Sequence, residues 1–326
     1  MHSELDRKTS NAIELGVLSL GPQDGYASVD GKRMPLDEGT VSITDRGFLY
    51  GDSVYEVFRT YNGVPFLGAE HWQRLLRSAS LISMRISDSM QELHAEVART
   101  TADWHKNGGT GDAYVRYTYT RGDGSMDLYP ASDLLPLRVI IVKTIPEWPA
   151  HHYSEGLTLA ITSVRRNAID ALNPSVKGGN YLNNILGVLE ARELGAEDCL
   201  LLNQKQYLTE ASNSNVLFVI NEAVQTPSVE SGILSGLTKG VVSELCISAG
   251  ISFDETLLSV NHIRSATECF VTSATREIIP VKSLRLEDGT LIRFPTGGGS
   301  ITRMLRSSYK DYVNRYVEKN NDSRLF

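Results

Sequence analysis

The chain has 326 residues, which exceeds the usual size of one domain, so two domains that share a cleft are expected. Hydrophobic residues make up 41% and charged residues 22% of the chain, a balance typical of soluble globular proteins. The formal net charge of −7, without a run of Lys or Arg, argues against a nucleic-acid partner. No segment is long and apolar enough to predict a membrane partner, so small-molecule ligands are favoured.

Three isolated cysteines, Cys199, Cys246 and Cys269, lie in apolar contexts without a CxxC spacing. They predict reduced core thiols in a cytoplasmic protein. The sequence shows no spacing typical of a metal centre, so no metal is expected. Residues 1–20 mix charges with short apolar pieces, which predicts a loose terminus rather than a signal peptide.

Alternation and helical periodicity predict the elements of the N-terminal half. In chain order they are a hairpin over 25–44 that turns at Asp30-Gly31, a strand within 45–63, helices over 70–82 and 91–105, and strands over 112–120 and 135–144. Pro146 and Pro149 end the last of these strands. We therefore expect a small N-terminal domain over 1–143, a linker over 144–154 and a larger domain over 155–326.

Several polar side chains in this half have two interpretations. Arg74 falls off the apolar stripe of its helix, so it faces either solvent or an anion such as a phosphate. Tyr114 and Arg116 share one face of a strand, where the guanidinium either binds a carboxylate or lies in water. Tyr50 and Tyr55 are either ordinary half-buried strand tyrosines or ligand contacts.

The C-terminal half begins a new pattern of strands and helices. They are strands over 157–162, 199–202 and 216–220, helices over 181–194, 239–249 and 301–318, and a strand that ends in the turn over 272–277. Gly297-Gly298-Gly299 lacks the Lys and hydroxyl ending of a phosphate loop, so it is expected to cap the last helix.

One lysine and one carboxylate in this half suggest a cofactor. Lys177 lies in a glycine-flanked turn directly before a predicted helix, and Glu210 follows 33 positions later between two apolar runs. A lone lysine is usually a solvated surface charge. Together, however, an amine that forms a Schiff base and a carboxylate that keeps a pyridinium nitrogen protonated are the minimal equipment for pyridoxal phosphate chemistry.

Two turns offer groups suited to an anion. Leu237-Thr238 opens a helix whose first N–H groups and dipole favour an anion, although Thr238 can equally be a plain N-cap. Ser273-Ala274 lies in a hydroxyl-rich turn that either binds an anion or only shapes the chain.

Taken in order, these motifs resemble the class IV (fold type IV) pyridoxal-phosphate-dependent aminotransferases over nearly the whole chain from about residue 25. The shared segments are Arg46-Gly47 through Glu56, Glu70 through Leu75, Tyr114 through Arg116, Lys177 through Leu182, Glu210 through Asn215, Leu234 through Thr238 and Thr272 through Pro280. The resemblance implies an α/β (α+β) fold, with a small α/β domain, a larger pseudo-barrel domain and pyridoxal 5′-phosphate in the cleft. It also implies a homodimer whose active sites share residues.

The resemblance further implies a role for each matching residue. Lys177 would hold the cofactor as an internal aldimine and move a proton, while Glu210 would pair with the pyridine nitrogen. The other implied cofactor contacts are Arg74, Leu237, Thr238, Ser273 and Ala274 at the phosphate and Tyr181 near the phenolic oxygen. The implied substrate contacts are Tyr50, Tyr55, Tyr114 and Arg116.

Two departures from the family pattern bear on the subfamily. Lys177 precedes Tyr181 by four residues, where typical branched-chain enzymes have five, and this spacing is more like D-amino-acid aminotransferases and aminodeoxychorismate lyases. Ala274 replaces a threonine that binds phosphate in many relatives, which leaves that contact to Ser273, Thr275 or backbone N–H groups.

The sequence favours a transaminase that moves an amino group between an amino acid of the branched-chain type and a 2-oxo acid. Tyr50-Gly51 and Tyr114 through Arg116 support that choice, whereas Gly51 through Val57 is closer to the D-amino-acid group. The alternatives are a D-amino-acid or (R)-amine transaminase and an aminodeoxychorismate lyase. Lys177 and Glu210 argue against a cofactor-binding module without turnover.

Overall fold

The computed structural model of the protein describes residues 25–326. The sequence predictions for residues 1–20 therefore lie outside the described residues. Within 25–326, none of the helices combines the length and apolarity needed to cross a bilayer. All three cysteines are buried and free, as their apolar contexts predicted.

The first part of the chain forms a six-stranded antiparallel sheet with two long helices packed on it. Its elements are β1 (Gly25–Val29), β2 (Lys32–Pro35), α1 (Arg46–Tyr50), β3 (Ser53–Tyr61), β4 (Val64–Pro65), α2 (Gly68–Leu81), α3 (Met90–Lys106), β5 (Ala113–Thr120) and β6 (Leu137–Thr144), with a 3-10 turn at Leu36–Glu38. The strand order is β2-β1-β6-β5-β3-β4. Strand β3 lies beside β5, so the polar faces of both strands border the same region of the molecule.

The second part forms a nine-stranded mixed sheet with helices around it. Its elements are α4 (Ala150–Ser154), β7 (Leu157–Arg165), α5 (Leu182–Glu193), β8 (Asp198–Leu202), β9 (Leu208–Ala211), β10 (Asn215–Ile220), β11 (Ala223–Pro227), α6 (Leu237–Ser248), β12 (Phe253–Thr256), α7 (Val260–Ile263), β13 (Glu268–Ser273), β14 (Glu277–Arg285), β15 (Leu291–Arg293) and α8 (Ser300–Lys319), with 3-10 turns at Val229–Ser231 and Asn321–Ser323. The order is β12-β11-β10-β13-β14-β7-β8-β9, and β15 pairs with β14.

Helices α2 and α3 bury their apolar stripes against the first sheet. Trp72 and Leu75 of α2 and Val97 and Trp104 of α3 lie in one core cluster with β5 residues such as Val115. Helix α8 begins after its N-cap Gly299, as predicted for the glycine run. The periodicity of these segments thus predicts the long helices, because each of them packs on the sheet through its apolar face.

Several short elements were not predicted. Asp45 accepts hydrogen bonds from the N–H groups of Gly47 and Phe48, and this cap starts helix α1 where we expected only a polar turn. Strand β9 encloses Glu210, which we expected just before a strand rather than inside one. Strands β11 and β12 are also unpredicted, and β12 contains two acidic residues that hide its alternation.

The segment between the two sheets runs from the end of β6 at Thr144 to the start of β7 at Leu157 and contains the short helix α4. Pro146 and Trp148 of this segment line a cavity between the two sheets. The segment that connects the two sheets therefore forms part of the wall of the candidate site.

Candidate active site

A cavity of about 390 Å³ lies between the two sheets and takes its walls from both. It brings together eleven of the twelve residues that the sequence assigned to a site. These are Tyr55, Arg74, Tyr114, Arg116, Lys177, Tyr181, Glu210, Leu237, Thr238, Ser273 and Ala274.

Lys177 is held in the cavity by its own backbone. Its carbonyl oxygen accepts a hydrogen bond from the Tyr55 N–H at 2.9 Å, and its N–H donates to Ser78 Oγ at 3.1 Å. Gly178 continues this attachment by forming a bridge with Val54 of β3. The Lys177 amine lies 4.7 Å from the centre of the Tyr55 ring. The lysine turn is thereby fixed to the first sheet although it belongs to the second half of the chain.

Two tyrosines and an arginine surround this amine. The Tyr55 hydroxyl donates a hydrogen bond to the Tyr181 hydroxyl, and the Arg116 guanidinium carbon lies 3.7 Å from the centre of the Tyr55 ring. Burial raises the pKa of Tyr181 to about 12, against the opposing charge of Lys177. Burial also raises the pKa of Tyr55. Both phenols therefore stay protonated at neutral pH and can act as hydrogen-bond donors.

Glu210 lies on β9 and is held at both carboxylate oxygens. Oε1 accepts from Arg166 Nη2 at 2.8 Å, and Oε2 accepts from the Leu234 N–H at 3.0 Å. Burial raises the pKa of this carboxyl, while the charge of Arg166 and the Leu234 N–H oppose the rise. A carboxylate of raised basicity in this fixed orientation is suited to share a proton with a ring nitrogen.

Arg74 belongs to a buried charged cluster rather than to the solvent face of its helix. Its Nε and Nη2 donate to the two oxygens of Glu56 at 2.6 and 2.8 Å, and Nη1 donates to the Ser235 carbonyl at 2.9 Å. His71 Nδ1 lies 2.7 Å from Glu56 Oε2. Burial alone would raise the pKa of Glu56, but the Arg74 charge, together with His71 and the hydrogen bonds from both, outweighs it and holds that pKa well below its usual range. Arg74 thus presents a fixed positive charge to the cavity.

The start of α6, next to Arg74, offers neutral groups for an anion. The N-cap of α6 is Gly236, so Thr238 lies inside the first turn instead of capping it, and the first N–H groups have no side-chain cap. Gly236, Leu237 and Thr238 all border the cavity. Thr272 also borders it, and its Oγ1 is buried without a hydrogen-bond partner. Together with Arg74, these donors form a wall suited to a phosphate.

Tyr50 is the one predicted site residue that does not line the cavity of its own chain. It lies on α1, is 38% exposed, and donates a hydrogen bond from its hydroxyl to the Met126 carbonyl at 2.6 Å. The reason is the unpredicted helix, which ends at the left-handed Gly51 and directs the chain into β3 only from Ser53.

Sequence reasoning missed three titratable side chains of this region. Glu56 holds Arg74, His71 contacts Glu56, and Arg166 holds Glu210. A signal existed for two of them, since Glu56 is a single carboxylate within an apolar strand and Arg166 directly follows the buried strand β7. Neither pattern predicts which residue each side chain binds, because the partners lie 18 and 44 positions away in the sequence.

The sequence and the architecture match those of known enzymes. The family profile described as amino-transferase class IV matches residues 53–284. A protein of Methanocaldococcus jannaschii that is provisionally named a branched-chain-amino-acid aminotransferase is 34% identical over 283 residues, which cover 87% of this chain and 94% of that protein. A D-alanine aminotransferase of Staphylococcus aureus is 30% identical over 289 residues, covering 87% and 96%. The crystal structure of a branched-chain aminotransferase from Thermoproteus uzoniensis with norvaline superposes with a TM-score of 0.80 at 27% identity, covering 91% and 97%.

These likenesses place the chain in a fold type IV enzyme class. The profile spans well over half of the chain, so the protein belongs to the class IV aminotransferases. The α/β fold type IV architecture, the aminotransferase activity and the dependence on pyridoxal 5′-phosphate that the sequence predicted are confirmed.

The cavity has the chemistry that pyridoxal 5′-phosphate requires. A primary amine, Lys177, and a buried carboxylate, Glu210, lie in one cavity with an anion wall that includes the unpartnered Thr272 hydroxyl. An amine binds the cofactor's aldehyde, a carboxylate pairs with its ring nitrogen, and N–H and hydroxyl donors bind its phosphate. Three chemically distinct parts of the cofactor therefore each have a matching group.

Proposed function

We propose that the protein transfers an amino group between an amino acid, with the L-branched-chain type favoured, and a 2-oxo acid, and that Lys177 binds the cofactor covalently. The observation that carries the proposal is that the Lys177 amine and the Arg116 guanidinium both pack on the Tyr55 ring, at 4.7 and 3.7 Å from its centre. A carboxylate bound by Arg116 would lie close to the reactive amine. This arrangement favours amino acids over simple amines.

Each side chain has a distinct role in this proposal. When bound, the cofactor supplies an electron sink for the charge left as the substrate loses its α-proton. The Lys177 amine takes and returns that proton, and Glu210 keeps the ring nitrogen protonated. The phosphate would be held by Arg74, the start of α6 at Leu237 and Thr238, and the turn at Ser273 and Ala274. Tyr181, which accepts a hydrogen bond from Tyr55, would orient the phenolic oxygen, while Tyr114 would join Arg116 in binding substrate.

The choice of substrate is tested by a panel of amino donors. The panel contains L-Leu, L-Ile, L-Val, D-Ala, D-Glu, (R)-phenylethylamine and aminodeoxychorismate. We expect the L-branched-chain donors to change the cofactor's absorption fastest, in keeping with the higher identity to the Methanocaldococcus relative than to the D-alanine enzyme. Faster conversion by D-Ala or D-Glu would establish the second candidate, a D-amino-acid transaminase, and pyruvate release from aminodeoxychorismate would indicate the lyase.

Glu210→Gln is expected to slow the transfer about ten- to a hundred-fold while leaving cofactor binding largely intact. A neutral amide cannot hold the ring nitrogen protonated, and losing a charge-assisted hydrogen bond of this kind costs roughly 1.5 to 3 kcal/mol. Single-turnover rates with the best donor measure the effect, and Glu222→Gln, an exposed glutamate, is the matched control. A wild-type rate in Glu210→Gln would remove the proposed role.

Arg116→Met is expected to reduce kcat/KM for amino acids about ten- to a hundred-fold, which corresponds to roughly 1.5 to 3 kcal/mol of lost charge-assisted bonding to the substrate carboxylate. Activity on (R)-phenylethylamine, which has no carboxylate, should change little. Arg293→Met replaces an exposed strand arginine and serves as the control. Equal losses with amine and amino acid would indicate a folding or cofactor defect, and no loss with either would indicate a solvated arginine.

We also propose that the protein is a homodimer, whose two active sites share residues. Helix α5, which starts directly after Tyr181, exposes four apolar side chains at helical spacing, each between 47% and 67% exposed. They are Leu182, Ile185, Leu186 and Leu189. A continuous exposed apolar face of this kind is typical of a subunit interface. We propose that in such a dimer the exposed Tyr50 and the 121–134 loop contribute to the partner's site.

Leu186→Glu is therefore expected to dissociate the dimer, because a buried carboxylate without a partner strongly disfavours association. Light scattering coupled to size-exclusion chromatography reads the mass directly. Ile247→Glu, at a single apolar residue that is 70% exposed on α6, is the matched control and should leave the mass unchanged. A Leu186→Glu protein with the wild-type dimer mass would exclude this face as the interface.

The division into domains stays a proposal as well. We propose a small domain over 1–143, a linker over 144–154 and a large domain over 155–326, supported by the separate sheets formed before and after the connecting segment.

A further inference from the structure

A group of ligating side chains lies outside the cavity, on the segment that connects the two sheets. His151 and His152 are adjacent on helix α4, and Glu197 directly precedes β8. One ligating atom from each of the three lies within 4.8 Å of the others. The sequence predicted no metal centre, because residues so far apart in the chain show no ligand spacing, and only the fold brings them together.

The ligating atoms of this group are available and partly fixed in position. His152 Nδ1 is buried and has no hydrogen-bond partner. Glu197 Oε2 accepts a hydrogen bond from the Thr158 N–H at 2.7 Å, which orients its carboxylate.

We propose that His151, His152 and Glu197 bind a divalent transition-metal ion of the zinc class. Two imidazole nitrogens and one carboxylate oxygen are typical zinc ligands, whereas magnesium and calcium select sites made of oxygen atoms. Three protein ligands leave a further coordination position to solvent, which His151 borders as an exposed residue.

Such an ion has a structural consequence for the cavity wall. It ties α4 to the start of β8 and so restrains the segment that carries Trp148 to the cavity. The Arg276 guanidinium carbon lies 4.1 Å from the centre of the Trp148 ring, and Arg276 Nη1 donates to Asp198 Oδ2 at 3.1 Å. The ion would thus stabilise the connection between the sheets without touching the reacting atoms.

The test uses the tag-free holoenzyme. Zn²⁺ affinity is measured by competition with a chromogenic chelator, and Co²⁺ is added as a probe because its visible bands at tetrahedral sites fall at longer wavelength than the cofactor's absorption. We expect one Zn²⁺ per chain and a rise in the unfolding temperature on adding Zn²⁺. His151→Asn, His152→Asn and Glu197→Gln should each weaken Zn²⁺ binding by at least about tenfold.

Two features of the variants keep the test independent of folding defects. Glu197→Gln retains an oxygen that can accept the Thr158 N–H, so its fold is expected to be preserved. His94→Asn, on helix α3, removes a histidine elsewhere and should bind Zn²⁺ like the wild type. Absence of stoichiometric binding would overturn the proposal. Binding that persists in all three ligand variants would also overturn it, because it would show that the ion is bound elsewhere, for example in the active-site cavity.

Discussion

Lys177→Ala is expected to lower the transamination rate by roughly 10²- to 10⁴-fold or more, since it removes both the covalent attachment of the cofactor and the group that moves the proton at the substrate's α-carbon. The neighbouring groups stay in place, because the turn is held by the backbone contacts of Lys177 to Tyr55 and Ser78 rather than by its amine. The cofactor should still bind through its phosphate.

Steady-state rates with the best donor of the panel measure this loss, and the cofactor content of the purified variant is determined beside them. Lys205→Ala replaces an exposed lysine in a turn and should leave both quantities unchanged. A Lys177→Ala protein that retains wild-type turnover would contradict the assigned role, and loss of the fold in circular dichroism would require Lys177→Arg as a second variant.

Glu56→Gln is expected to reduce the free energy of unfolding by about 3 to 5 kcal/mol and to weaken cofactor binding. Glu56 is 0% exposed and accepts both donors of the Arg74 fork, so the substitution leaves a buried guanidinium without its counter-charge. The same change frees Arg74 to move away from the phosphate wall.

Urea unfolding of the apoenzyme measures the stability difference, with the exposed Glu222→Gln as control. The pKa of Glu56 is depressed in the fold, so its contribution is present above the ordinary glutamate pKa and is lost as the pH falls through the folded value. Variant and wild type should therefore differ most at neutral pH and approach each other in acid. A difference within 0.5 kcal/mol, about the size of a typical surface substitution, would exclude the buried pair as a stabilising element.

The long elements were predictable because their periodicity reports burial. Helix α3 begins at Met90 behind a Ser89–Glu92 capping box and ends at Lys106, close to the predicted range of 91–105. The short elements α1 and β9 were not, since five or four residues carry too little pattern to separate a helix or strand from a turn. In both cases the deciding interactions are caps and cross-strand pairs, which depend on the fold.

The same distinction holds in the candidate site. The order of the motifs predicted residues that line the cavity, including Lys177 and Glu210. It did not predict that Glu56 binds Arg74, because two residues that pair between a strand and the following helix have no characteristic spacing in the sequence. Nor did it predict that the apolar face of α5 is exposed, since helical period shows that a face is apolar but not what covers it.

Covalent attachment of the cofactor to Lys177 is the central claim, and reduction of the holoenzyme with borohydride followed by peptide mapping tests it most directly. Reduction makes the link between amine and cofactor permanent, so the modified lysine is identified by mass. We expect a single pyridoxyl group, on Lys177, in the peptide that also contains Tyr181. A pyridoxyl group on any other lysine, or none in a protein that binds the cofactor, would contradict the assignment.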